Sequence, residues 1–316
     1  MTAFEARWRE MPVHPESPAF QRVDESHPLD FYLGRETTGE WILLLITNER
    51  PMSSREYQAI HVICRQRNDG RWALLFRLMR PELEKLFSLL CEDLVESSRN
   101  IQDPSRPASF VLTRFARWQK LLEQGHSGLL DEAAMRGLIG ELLFLEKQAI
   151  PSRGIREAVT GWVGPTRAQR DFRFPEHEYE VKTIRTGANR VLISSAEQLD
   201  LQAKILDLVV VLLDEAELES HPDAFTPLGM VGRLRELLES DTTALDVFEA
   251  RLMDAGFVAR EEYSERAYIF RQFRMFRIGE GFPAIRRSQL PVGIGKVTWE
   301  LEIPAILSFE INPAMI

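Results

Sequence analysis

An α/β fold is expected from three features of the chain. Between residues 130 and 149, Met135, Leu138, Ile139, Leu142, Leu145 and Ala149 form one helical stripe. Arg170 to Ile184 alternates with period two on either side of Pro175 to Glu178, as a β-hairpin does. Leu206 to Leu213 is apolar except for Asp207 and suits a strand buried on both faces. In chain order these give a helix from about Leu130 to Ala149, a strand over Ala158 to Val163, the hairpin, a connector and a buried strand. The connector holds a short strand at Arg190 to Ser194 and a short helix at Ser195 to Ala203.

At 316 residues the chain is long for one compact core, which predicts two or three subdomains. Residues 1–100 read as an α+β unit. Asp30 to Gly34 and Glu40 to Thr47 form strands around Thr37-Thr38-Gly39, and Ala59 to Gln66 pairs with Trp72 to Leu78 across Asn68-Asp69-Gly70. Pro81 opens a helix to about Glu96 carrying Leu83, Phe87, Leu90 and Leu94 at helical spacing. Asn100 to Ser109 is a polar linker; with the helix from Val111 to Gln124, broken at Gly125, it fills residues 101–125. The core is expected over residues 126–216 and a C-terminal helix-plus-strand region over 217–316. In that region Thr226-Pro227 starts a helix to Leu238, a second spans Thr243 to Ala255, and Tyr268 to Ile311 reads as strands with turns at Gly279-Glu280-Gly281 and Gly293-Ile294-Gly295.

Composition removes several classes. The apolar fraction of 44% and charged fraction of 28% are those of an ordinary globular protein. The run Leu208 to Leu213 is far too short to span a bilayer, and Met1 to Glu5 lacks the basic-then-apolar plan of a secretory signal, so the expected location is the cytoplasm, with no membrane partner. Cys64 and Cys91 make no metal-ligand spacing and are expected to be reduced, packed thiols. Gly293-Ile294-Gly295-Lys296 is not a phosphate-binding loop, since Val297 stands where a Mg²⁺-holding hydroxyl is required, and Gly125-His126-Ser127-Gly128 is not a nucleophile elbow. The net charge of −9 argues against bulk electrostatic coating of nucleic acid, yet Arg266 to Lys296 holds seven basic residues against Glu280 alone. Tyr268, Phe270, Arg271, Phe273, Arg274, Phe276 and Arg277 interleave aromatics with arginines, which fits base and phosphate contacts or, more simply, a strand with one packed face.

The hairpin carries the chemistry. Glu180 and Lys182 project to one face while Tyr179, Val181 and Thr183 take the other, and Asp171 and Arg173 obey the same parity on the preceding strand. A turn centred between Glu176 and His177 would set Asp171 opposite Lys182 and Arg173 opposite Glu180. His177, in that turn, is expected to be exposed. Two carboxylates and an ammonium converging on a sheet point to a divalent-cation site that cuts phosphodiester bonds; the plain alternative is a cross-strand ion network. Glu141, one turn from Leu138 and Leu145, borders the buried side of its helix and needs a partner, for which Arg136 is one candidate. Gly137 and Gly140 inside the same helix suggest that another chain segment approaches there.

Set on helix, strand and strand, Glu141, Asp171 and Glu180-Val181-Lys182 resemble the signature of the PD-(D/E)XK nuclease superfamily. Gly140-Glu141-Leu142, Asp171-Phe172-Arg173-Phe174, Ser194 to Leu199 and Gly281-Phe282-Pro283 are similar to a bacterial family grouped with it. One departure is Arg170, where the signature has proline. The resemblance implies a restriction-endonuclease-like αβββαβ core with an N-terminal α+β subdomain and a C-terminal helix-plus-strand region. It also implies Mg²⁺ (or Mn²⁺) held by Asp171, Glu180 and the Val181 carbonyl, with Lys182 orienting water or stabilising the transition state and Glu141 completing the site through water or a second ion. Ser195, Gln198 and Arg173 are the candidates to touch substrate. The implied partner is DNA, cut to leave a 5′-phosphate, in restriction or anti-phage defence beside a methyltransferase or helicase/ATPase, and as a homodimer if it follows many such cores. The rival readings are a DNA-binding or assembly subunit that cuts nothing alone, and a small-molecule enzyme in which the motif is accidental.

Overall fold

The computed structural model describes residues 2–51, 59–99, 105–123, 130–200, 205–219 and 221–312, divided into two compact units at Ser127/Gly128. The expected break at Gly125, the Gly125 to Gly128 segment and the first half of the Asn100 to Ser109 linker lie outside these residues, and the linker's last three residues are already helical.

The first unit is a five-stranded antiparallel sheet in the order β1-β2-β3-β5-β4, with α1 (Ala3–Glu10) preceding it and α2 (Glu84–Ser97) and α3 (Pro107–Glu123) following. β2 (Asp30–Arg35), β3 (Trp41–Thr47), β4 (Ile60–Gln66) and β5 (Trp72–Leu78) fall where period-two patterning places them. Gly70, with φ of +82°, occupies the left-handed position that the β4–β5 turn requires. α1 and β1 (Ala19–Arg22) were not anticipated. α1 is held by Trp8, which stacks on Trp41 at 5.0 Å and donates its indole N–H to Gly34 O at 2.9 Å.

The second unit is a mixed α/β layer. Its sheet has the order β12-β10-β9-β7-β6 and includes strands from beyond residue 216. β9 (Ile205–Ala216) lies at the centre, parallel to β7 (His177–Ile184) and antiparallel to β10 (Ala267–Ile278). A strand with a sheet neighbour on each side and a packed layer on each face must be apolar, and Leu208 to Val211 are fully buried. On one face Val209, Val211 and Leu213 join Tyr179 and Val181 beneath α4 (Glu132–Phe144), α7 (Pro227–Leu238) and α8 (Thr242–Asp254). On the other, Leu206, Leu208 and Val210 pack with Val191, Ile193 and Leu301. Asp207, the single polar residue of the run, is fully buried between His177 Nε2 at 2.7 Å and Arg277 Nε at 2.5 Å.

Several expectations are corrected. The helix begun by α4 does not stop at Ala149 but continues through one π-helical turn, Leu145–Ala149, into α5 (Ile150–Arg153). Ala158 to Val163 is not a strand: α6 (Ile155–Gly161) occupies it, because packing of Ala158 and Val159 overrides the local β preference, and only Trp162 bridges to Phe172. β8 (Arg190–Ile193) pairs with β11 (Trp299–Glu302) in a separate two-stranded sheet. The helix expected over Ser195 to Ala203 is a 3₁₀ turn, Ala196–Leu199, with residues 201–204 outside the described set. Tyr268 to Ile311 is less strand-rich than expected, since only β10, β11 and β12 (Glu310–Ile311) are extended there.

The hairpin register also differs. β6 (Phe172–Arg173) pairs Phe172 with Tyr179 and Arg173 with Glu178, because the chain reverses tightly at Pro175-Glu176 and the Phe174 N–H donates to His177 O at 2.8 Å. Arg173 therefore faces Glu178 and not Glu180, and Asp171, whose N–H donates to Tyr179 O at 3.1 Å while its Oδ2 accepts from Val181 N, lies beside residues 179–181 and not opposite Lys182. The displacement is two residues, so every side chain keeps its expected face. His177 is a strand residue stacked on Tyr179 at 4.3 Å, not an exposed turn residue.

α4 approaches β7 closely at Gly140, where an added Cβ would collide with the Thr183 hydroxyl and lie 3.6 Å from Val211 Cγ2, whereas Gly137 has nothing within 4 Å. Gly137→Ala should therefore stabilise the protein by up to about 1 kcal/mol through helix propensity. Gly140→Ala should destabilise it by about 1–3 kcal/mol through overpacking. Urea denaturation of the two variants checks the pair, and the reverse ranking would show that the α4–β7 contact is looser than described.

Candidate functional site

Four side chains that the sequence singles out meet beside β7, just before the start of β6. Asp171 is held twice: Val163 and Gly164 donate their N–H groups to its carbonyl at 2.8 and 2.9 Å, and Val181 donates its own to Oδ2 at 2.7 Å. In a strand the N–H and C=O of one residue point the same way, so the Val181 carbonyl also faces the Asp171 side. Glu180 is sealed at 1% exposure, with Lys182 Nζ 2.7 Å from Oε1 as an ion contact. Among the described residues neither Glu180 oxygen receives a well-directed hydrogen bond. Glu141 comes from α4, and its Oε2 accepts from Trp162 Nε1 at 2.7 Å. Arg136, the partner considered for Glu141, instead donates to Leu213 O and lies 3.9 Å from Glu215.

Electrostatics follow from this crowding. Burial, then the charge of Asp171, pushes the Glu180 carboxyl up to about 8 against the pull of Lys182. Burial and Asp171 likewise push Glu141 well above the carboxylate range, the Trp162 hydrogen bond opposing them. Asp171 is raised by burial and partly restored by Lys182 and the Val181 N–H. For Lys182 burial pulls the ammonium down, but Glu180 and Asp171 outweigh it and hold it above its ordinary value. Glu141 and Asp171 keep a narrow solvent-facing rim that Glu180 lacks.

Two further residues shape the site. Gly164 has no side chain where one would interfere: its absent Cβ would lie 2.8 Å from both Asp171 Oδ1 and Glu141 Oε2, so the two carboxylates converge on one point. Arg170, 2% exposed, donates to the carbonyls of Glu197 and Asp200 and lies 3.6 Å from Glu178, tying the 3₁₀ turn to the strand of Asp171. Sequence reasoning passed over Gly164 and Trp162 and noted Arg170 only as a departure from a pattern. The available signal was the place of Arg170, immediately before a proposed ligand.

The remaining candidates have structural partners. Arg173 pairs with Glu178 at 3.0 Å, Gln198 Oε1 accepts from Ser194 N at 2.7 Å, and the Ser195 hydroxyl bonds Glu197. On β10, Arg271, Arg274 and Arg277 are committed to Asp214, Glu310 and Asp207, while Tyr268 and Phe276 are buried, so the interleaved pattern is that of a packed strand.

Among the described residues no three His, Cys, Asp or Glu side chains stand ready to close around an ion. A hard cation does not require three, since one or two carboxylates, a backbone oxygen and several waters suffice. The donor set fits: Glu180 offers a buried Oε2 with no hydrogen-bond donor, its Oε1 lying 2.7 Å from Lys182 Nζ, Asp171 has Oδ1 turned to the bare face of Gly164, and the Val181 carbonyl faces the Asp171 side of the strand.

The chain belongs to the family described as "Putative PD-(D/E)XK family member, (DUF4420)", whose profile matches residues 4–304. The PD-(D/E)XK superfamily consists mostly of nucleases that use Mg²⁺ or Mn²⁺. No curated protein and no solved structure matches the chain. No helix of the described residues is long and apolar enough to cross a membrane.

Because Glu180 is protonated in the native state up to about pH 8 and ionised in the unfolded chain, metal-free stability should fall as pH rises from the ordinary glutamate range toward about 8. Cation binding should release a proton and tighten over the same interval. Calorimetric Mn²⁺ titrations in buffers of different ionisation enthalpy measure this, with fewer protons released in Glu180→Gln; a wild-type affinity that does not change with pH would contradict it.

Proposed function

We propose that the protein is a divalent-metal-dependent nuclease that hydrolyses phosphodiester bonds in DNA, and that it serves bacterial restriction or anti-phage defence. The reading rests on one observation: Asp171, Glu180 and Lys182 meet at one sheet edge, with Glu141 brought alongside from α4. Asp171, Glu180 and the Val181 carbonyl would hold Mg²⁺ or Mn²⁺. When bound, such an ion lowers the pKa of a water and offsets charge developing on phosphate. Lys182 places an ammonium donor beside the reacting phosphate, where it stabilises the oxyanion more strongly than it would in water. Glu141, its carboxyl pushed up by burial and by Asp171 and its Oε2 fixed by Trp162, would complete the cation site through a water or a second ion. The partners called for are DNA and, in a restriction setting, a methyltransferase or helicase/ATPase.

A second reading, a DNA-binding or assembly subunit that cuts nothing alone, is favoured by the lack of a ready three-ligand cluster among the described residues. Purified protein with Mg²⁺ on linear, circular, single-stranded and methylated DNA separates the two. Cleavage should fall roughly 100- to 1000-fold in Lys182→Ala and at least as far in Asp171→Ala. Equal cleavage by both variants and the wild type would refute the assignment, and DNA retention with no metal-dependent cutting would select the second reading.

A further inference from the structure

The segment Trp162-Val163-Gly164 touches both halves of the carboxylate site at once. Trp162 closes α6 and is completely buried, its ring lying 5.9 Å from Phe248 of α8. From this fixed position it spends its single donor on Glu141 Oε2, at 2.7 Å. A buried indole N–H needs some acceptor, and a backbone carbonyl would satisfy it as well; here the acceptor is the carboxylate next to Asp171. The next two residues hold the other carboxylate by its main chain, through the Val163 and Gly164 N–H bonds to Asp171 O at 2.8 and 2.9 Å. Gly164 then presents bare backbone where Asp171 Oδ1 and Glu141 Oε2 converge: a Cβ there would lie 2.8 Å from each. The bridge between Trp162 and Phe172 fixes the segment alongside the strand that follows Asp171.

We infer that residues 162–164 are a positioning segment that sets the spacing of the Glu141 and Asp171 carboxylates for a divalent cation, with Trp162 the donor that aims Glu141 and Gly164 the gap that lets the two oxygens approach. The inference rests on the metal-dependent reading above. Trp162 acts only through Glu141, in the way that outer partners orient metal-binding carboxylates elsewhere. Any side chain at position 164 drives the oxygens apart even with Trp162 intact.

Calorimetric Mn²⁺ titration of the full chain without DNA tests this independently of cleavage. Trp162→Phe, which keeps the ring and loses the donor, should weaken Mn²⁺ on the order of 10- to 100-fold. In a Glu141→Gln background the same change should have no further effect, because the partner through which it acts is gone. Equal Mn²⁺ affinity in Trp162→Phe and wild type overturns the inference and leaves the nuclease reading standing. So does an equal loss in both backgrounds, which is the mark of a packing role. A wild-type chain that binds no Mn²⁺ overturns both. Should Trp162→Phe fail to fold by circular dichroism, Gly164→Ala carries the test: weakened binding in a folded Gly164→Ala protein supports the gap, and unchanged binding overturns it.

Discussion

Glu180 is a carboxylate sealed inside protein, one strand away from a second carboxylate, Asp171, and the surrounding structure is organised around that conflict. Two like charges taken out of water repel strongly, and each resists ionisation while it remains uncompensated. Lys182 on the same strand, the guanidinium of Arg170 and the Val181 N–H offset part of the charge, while Glu180 Oε2 is left without a donor among the described residues. A small hard cation would complete the balance. Proton and cation thus compete for the same oxygens, which links the acidity of the site to its chemistry.

The supporting elements serve that geometry. The two-residue reversal at Pro175-Glu176 sets the register that brings Asp171 beside residues 179–181 of β7. Close packing of α4 on β7 at Gly140, one residue before Glu141, brings the third carboxylate within reach. Arg170 ties the 3₁₀ turn at Ala196–Leu199 to the same strand. The three arginines of β10 are paired with neighbouring acids, which accounts within the sheet for three of the seven basic residues of the C-terminal stretch. In the proposed function, phosphate contacts therefore fall to other basic groups.

Much of this was legible in the sequence because it depends on period. The faces of β7, the stripe of α4 and the apolar β9 each follow from spacing alone, and so does the placing of Glu180 and Lys182 together on β7. The hairpin register was not legible, since a slip of two residues leaves every face unchanged and only the turn geometry decides it. α6 was misread as a strand because Val159-Thr160 favours extension locally while contacts with distant residues such as Phe248 favour helix. Trp162 and Gly164 carry no local mark at all. Their role exists only once residues 141, 164 and 171 are folded together.

The most direct test of the central claim is anomalous diffraction from crystals of the protein soaked in Mn²⁺ at a pH above that of the Glu180 carboxyl. The account predicts one manganese peak bonded to a Glu180 oxygen, to Asp171 Oδ1 and to the Val181 carbonyl, with Lys182 beside it. A Glu180 carboxylate still paired only with Lys182, and no peak between it and Asp171 at saturating Mn²⁺, would contradict it.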